Sequence, residues 1–78
     1  MDIATFVQNF ASQFEETPIK DFSSQTKFKE LDEWSSMNAL IIIAMVDELY
    51  KVRLTGNEIK ESNTIQDIFD IVVNKTNG

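Results

Sequence analysis

Apolar residues recur at helical spacing in three stretches of this chain. In the first, Ile3, Phe6, Val7, Phe10, Ala11 and Phe14 follow at steps of three and four, which puts them on one face of an α-helix. Gln8, Asn9, Ser12 and Gln13 fill the other face. Asp2 is placed to cap the start, where its charge suits the positive end of the helix dipole. Pro18 disfavours helical backbone at Thr17, so the pattern predicts a helix from Asp2 to about Glu16. Three phenylalanines on one stripe read as core.

A long polar connection follows, from Thr17 to Trp34. Connections of this length in a compact domain are usually functional or internally anchored. Ile19, Phe22, Phe28 and Leu31 are the expected anchors, and Thr26 to Leu31 suits one short helical turn capped by Thr26. Acids gather at Glu30, Asp32 and Glu33, just before Trp34 and two serines.

The second helically spaced stretch, Ser36 to Tyr50, has no Gly or Pro and is almost wholly apolar from Met37 until Asp47-Glu48. Its triple isoleucine suits a buried strand, but fifteen residues without a breaker exceed the usual strand. A helix is predicted. Ala39, Ile42, Ile43, Val46, Leu49 and Tyr50 line one face. Ser36, Met37, Leu40, Ile41, Ala44, Asp47 and Glu48 line the other. Both faces are therefore greasy, which in a larger protein would mean full burial. A domain this small has little material to cover both, so part of the second face is expected to stay exposed for a partner.

Beyond Tyr50 the chain turns through Lys51-Val52-Arg53-Leu54. Thr55 followed three residues later by Glu58 is a capping-box signature for a short helix. A second box, Thr64-Ile65-Gln66-Asp67, opens a last helix with Ile65, Ile68, Phe69, Ile71 and Val72 facing inward. Lys75 suits the negative end of that helix, and residues 74–78 are expected to fray. The expected fold is all-α: a small four-helix bundle of three main helices and one short one, with a long first loop, in a single domain over 1–78.

Composition narrows the chemistry. Leu, Ile, Val and Phe make up 24 of 78 residues, enough to expect a folded domain. The chain has no Cys and no His, so disulfides, thiolate metal sites and a Ser-His-Asp triad cannot be built from it. No metal site is expected; Asp67 and Asp70 share a helix face without a calcium-type loop. No enzymatic role is expected. A formal net charge of −6 disfavours nucleic acid and favours partner proteins with basic patches. No apolar run is long enough to span a membrane. Met1-Asp2-Ile3-Ala4 shows no basic region leading an apolar run, so no secretory signal is expected and the cytoplasm is the expected location.

The stretch around Trp34-Ser35-Ser36-Met37 resembles the acyl carrier proteins and related peptidyl carrier domains. Their hallmark is an Asp-Ser-Leu motif opening the second helix, after a Phe-x-x-Leu pattern and before a helix end of acids and an aromatic. Phe28-Lys29-Glu30-Leu31 stands for the Phe-x-x-Leu, Ser36-Met37 for the Ser-Leu, and Asp47-Glu48-Leu49-Tyr50 for the acidic-aromatic end. Thr64-Ile65-Gln66-Asp67-Ile68 resembles the capped start of the family's last helix. The match covers most of the chain in order and spacing.

The resemblance implies a carrier, an acyl-carrier-type bundle and a phosphoprotein. A phosphopantetheinyl transferase would attach 4′-phosphopantetheine to Ser36. The arm would carry acyl or aminoacyl groups as thioesters, loaded by a ligase and passed to biosynthetic enzymes of fatty-acid or specialised metabolism. Glu33, Ser35, Met37, Leu40, Ile41, Asp47 and Glu48 would form the docking edge of a monomer. The chain departs from the family at three points. Ser35 stands where the family has Asp, which leaves Asp32 and Glu33 as nearby carboxylates. Ile41 stands where many members have an acid. The Gly that usually precedes the motif is absent, with one extra residue between Leu31 and Ser36. A second reading is an unmodified helical adaptor that binds a partner through the apolar face at Leu40 and Ile41.

Overall fold

The computed structural model describes residues 1–77 and is all-helical among them, with no strand. Four α-helices follow in chain order: α1 Ile3–Ala11, α2 Ser36–Tyr50, α3 Gly56–Glu61 and α4 Ile65–Asn77. Single 3-10 turns at Ile19–Asp21 and Phe28–Glu30 punctuate the connection between α1 and α2. α1 packs on α2 and α4, and short α3 bridges α2 and α4. The predicted small four-helix bundle is the fold observed.

All six phenylalanines, the tryptophan and the tyrosine join one aromatic network. Phe6 meets Phe10, Tyr50 and Phe69, with ring centroids 6.5, 5.4 and 5.4 Å away. Phe10 continues to Phe14 and Phe28. Phe14 reaches Phe22 and Trp34, and Trp34 closes back edge-on to Phe28 at 4.9 Å. Offset and edge-on pairs add about 0.5–1.5 kcal/mol each beyond the area they bury. The network therefore couples the long connection to the helices at both of its ends.

α1 is shorter than its pattern, stopping at Ala11 rather than near Glu16. The hydroxyl of Ser12 donates to the Gln8 carbonyl at 2.7 Å, and the side-chain amide of Gln13 donates to the Asn9 carbonyl at 3.1 Å. The backbone N–H groups of Gln13 and Phe14 step back only three residues, to Phe10 and Ala11. This tightening ends the α-helix and swings Phe14 onto Phe22 and Trp34.

The connection is anchored by Phe22 and Phe28, both buried, and by half-buried Leu31. Ile19 departs from expectation: it is 54% exposed on its 3-10 turn. The turn at Phe28–Glu30 forms, but Lys27 precedes it and Thr26 does not cap it. Thr26 instead accepts from the Ser23 N–H with its hydroxyl oxygen and from the Ile65 N–H with its carbonyl. Ser24 likewise accepts from the Gln66 N–H at 2.9 Å. The loop backbone thus receives two of the amides that α4 cannot satisfy internally.

Both capping boxes form. Thr55 and Glu58 exchange side-chain and backbone bonds at the start of α3. Thr64 accepts from the Asp67 N–H, and Asp67 accepts from the N–H groups of Thr64 and Asn63. Lys75 does more than face a helix end: it pairs with Glu58 at 2.9 Å and donates to the Arg53 carbonyl. α4 continues through Asn77, so helix replaces the expected fraying over 74–77. Gly78 lies outside the described residues.

Candidate functional site at the start of α2

Trp34 seats the site. Its ring lies between Phe14 and Phe28 and fixes where the chain enters α2. Ser35 follows in extended backbone (φ −151°, ψ 173°) as the N-cap, its carbonyl accepting from the N–H groups of Asn38 and Ala39. Its hydroxyl does not cap the helix. It donates instead to Asn38 Oδ1 at 2.9 Å. Ser36 is the first residue of α2 and is exposed. Its hydroxyl sits where a helix offers unpaired N–H groups and the positive end of its dipole.

The outward face of α2 is as predicted in most positions. Met37 is 62% exposed, Leu40 63% and Ile41 37%; Ala44, Asp47 and Glu48 are exposed too. Ile42 and Val46 are buried, with Ala39, Ile43 and Tyr50 packed on the core. Met45, which the pattern assigned to neither face, is buried; the helical period places it between Ile41 and Asn38, at the edge of the inner side. One position differs. Leu49 points inward by spacing yet is 52% exposed. It sits in the last turn and lines an open cleft with Gln13, Ile41, Ala44, Met45 and Glu48.

Glu33 is held by the loop. Its carboxylate accepts from the Thr17 hydroxyl at 2.7 Å, the Thr17 N–H at 2.8 Å and the Glu16 N–H at 3.2 Å. The Thr17 hydroxyl and these amides, acting against desolvation, hold the carboxyl below its ordinary value. The arrangement clamps the end of the α1 connection to the entrance of α2. Of the predicted docking edge, Ser35, Ser36, Met37, Leu40, Ile41, Asp47 and Glu48 are exposed on or beside α2, while Glu33 spends its lone pairs on the loop.

Two clefts flank Ile41 on the side of α2 nearer α1. One, of about 320 Å³, is lined by Gln13, Ile41, Ala44, Met45, Glu48 and Leu49. The other, of about 420 Å³, is lined by Gln13, Glu15, Glu16, Glu33, Asn38 and Ile41. Reading the sequence missed Gln13, Glu15 and Glu16 as neighbours of α2. The tight turn after Ala11 that carries them there has no periodic signature.

Among the described residues, no group of acids could hold a metal ion, and no helix is long and apolar enough to cross a membrane. No protein-family model, curated protein or solved structure matches the chain.

Proposed function

We propose that this protein is an acyl carrier, modified at Ser36 with 4′-phosphopantetheine and docking its partner enzymes through α2. The observation that carries the reading is the position of Ser36. Its exposed hydroxyl opens α2, beside Met37 and Leu40, at a helix end that no side chain caps. The resemblance of the surrounding residues to carrier domains points the same way.

The residues present fit such a group. The first N–H groups of α2 and its dipole suit a phosphodiester at Ser36. The serine is the nucleophile only when a transferase supplies the base, since the chain has no His or Cys to activate it. Once attached, the arm supplies a terminal thiol that holds an acyl or aminoacyl group as a thioester. Tethering raises the local concentration of that group at whichever enzyme docks. Met37 and Leu40 give the docked enzyme an apolar contact, and Asp47 and Glu48 give it charge at the far end of α2. A grip this small suits a transient encounter.

The test is co-expression with several pantetheinyl transferases, read by intact mass. The expected result is one added phosphopantetheine group, lost in Ser36→Ala. An unchanged mass with every transferase would favour the second reading, and addition that persists in Ser36→Ala would overturn Ser36 as the attachment site. In that reading α2 is an adaptor helix whose exposed Met37, Leu40 and Leu49 bind a partner without any covalent arm, and Ser36→Ala leaves binding intact.

A further inference from the structure

Ser36 ends a long connection, and the helix it opens has no side-chain cap. Most polar bonds just before it are local. The N–H groups of Leu31 and Trp34 donate to the carbonyls of Phe28 and Leu31. Ser35 bonds only Asn38 and Ala39. Two ties reach further. One is the Trp34 ring against Phe14 and Phe28. The other is Glu33 Oε1, which accepts from the Thr17 hydroxyl at 2.7 Å, the Thr17 N–H at 2.8 Å and the Glu16 N–H at 3.2 Å. Among the described residues, the Glu33 bonds are the only hydrogen bonds that tie 31–35 to a distant part of the chain.

We infer that Glu33 and Thr17 are a positioning pair for Ser36. The inference rests on Ser36 being the modified residue. Glu33 lies three residues before that serine, and Thr17 follows the turn that ends the first helix. Their bonds hold the entrance of α2 against the body of the bundle. The Ser36 hydroxyl is thereby presented to the modifying enzyme in one place, and the enzyme does not have to order a loose loop first. Glu33 thus acts through the backbone that carries Ser36, and its acceptor oxygen matters more than its charge. A carboxylate that attracted a basic partner directly would depend on its charge and would be indifferent to Thr17.

The experiment measures the rate of phosphopantetheine addition by intact mass in the full chain. Glu33→Ala is expected to slow addition about tenfold, and Thr17→Val, which changes no charge, about fivefold. The two together should slow it no more than about tenfold, since either change opens the same clamp. Glu33→Gln keeps an oxygen that can accept from Thr17 and is expected to stay within about threefold of the parent. Tyr50→Phe, at the far end of α2, leaves the clamp intact and should keep the parental rate. A Gln variant as slow as the Ala variant, or Thr17→Val at the parental rate, would overturn the pair in favour of a charge contact with the enzyme. Equal slowing in Tyr50→Phe would overturn it too, because general stability would then set the rate. Hydrogen exchange gives a readout that needs no modification. The amides of Asn38 and Ala39 donate to the Ser35 carbonyl and report the entrance of α2. Glu33→Ala and Thr17→Val should speed their exchange about fivefold or more, and Tyr50→Phe less than about twofold. A parent chain that no transferase modifies overturns the carrier reading. Exchange unchanged in both clamp variants overturns the clamp.

Discussion

Asn9 of α1 donates its side-chain amide to the hydroxyl of Tyr50, the last residue of α2, at 2.7 Å and across 41 positions of sequence. The bond is partly buried, and it sits beside the contact of the Tyr50 ring with Phe6. Tyr50 thus fastens the two helices with its ring and with its hydroxyl. Sequence patterning assigned Asn9 to the wet face of the first helix. One polar residue that reaches another helix leaves no mark on the periodicity.

Tyr50→Phe removes the hydroxyl and keeps the ring. The Asn9 amide then loses its partner in a half-buried position. Stability is expected to fall by about 1 kcal/mol, measured by urea unfolding. Tyr50→Ala should cost more, because it also removes the ring from Phe6.

Phe28 is fully buried between Phe10 and Trp34. It belongs to the connection, not to a helix, yet Phe28→Ala is expected to cost about 3–5 kcal/mol, as for a phenylalanine in a helix core. Trp34 is the sole tryptophan and lies against Phe28, so its emission reports the change directly. A redshift at native conditions would show that the α2 entrance loosens when its packing partner is removed. In a domain of this size such a loss consumes much of the stability, so a urea-free baseline by circular dichroism completes the measurement.

Acid should unfold this protein partly through its clamped carboxylates. Glu33 is held below its ordinary value of 4.5 chiefly by the Thr17 hydroxyl. Asp67 is held below 3.8 by the N–H groups of Asn63 and Thr64. The unfolded chain takes up these protons at the ordinary values and the folded chain only at lower pH, so protons favour unfolding. The stability from Glu33 is fully present above about pH 4.5 and is lost as pH falls through its folded-state value. Denaturant unfolding at stepped pH from neutrality downward should show this loss, and Glu33→Gln should flatten its first part.

The sequence made much of this fold legible because periodicity and capping chemistry are local. The stripe from Phe6 to Phe14, the Thr55 and Thr64 boxes and the inward face of α4 all depend on neighbours within four residues. What escaped depends on distance. Glu33 reads as one acid in an acidic run, and only the folded chain reveals that it grips the backbone of Glu16 and Thr17. The early end of α1 is local, with Ser12 and Gln13 turning back onto the helix, but side chains that bond their own helix carry no periodic signature. Leu49 fits the inward stripe but lies in the last turn of α2, beside an open cleft that leaves it half exposed. Of the candidate site, the exposed serine and the apolar strip were readable from spacing. The place of Glu15 and Glu16 in the cleft beside Ile41 was not, since a turn after α1 carries them there.

The start of α2 joins stability to the proposed modification, and Ser35 separates the two. It holds the N-cap position, but its hydroxyl is turned to Asn38 and caps nothing. Ser35→Asp places a carboxylate where it can accept from the first amides and face the positive end of the dipole. The variant is expected to be more stable by about 0.5–1 kcal/mol, read by thermal and urea unfolding. If Ser36 is the modified residue, the new carboxylate also gives a transferase the acid that carrier domains present before their serine. The rate of phosphopantetheine addition, followed by mass, should then rise in the same variant. A gain in stability with no gain in rate would show that the cap and the recognition element are separate. Recognition would then rest on the exposed strip of Met37 and Leu40, and replacing both with Ser should abolish modification while the helix content stays unchanged.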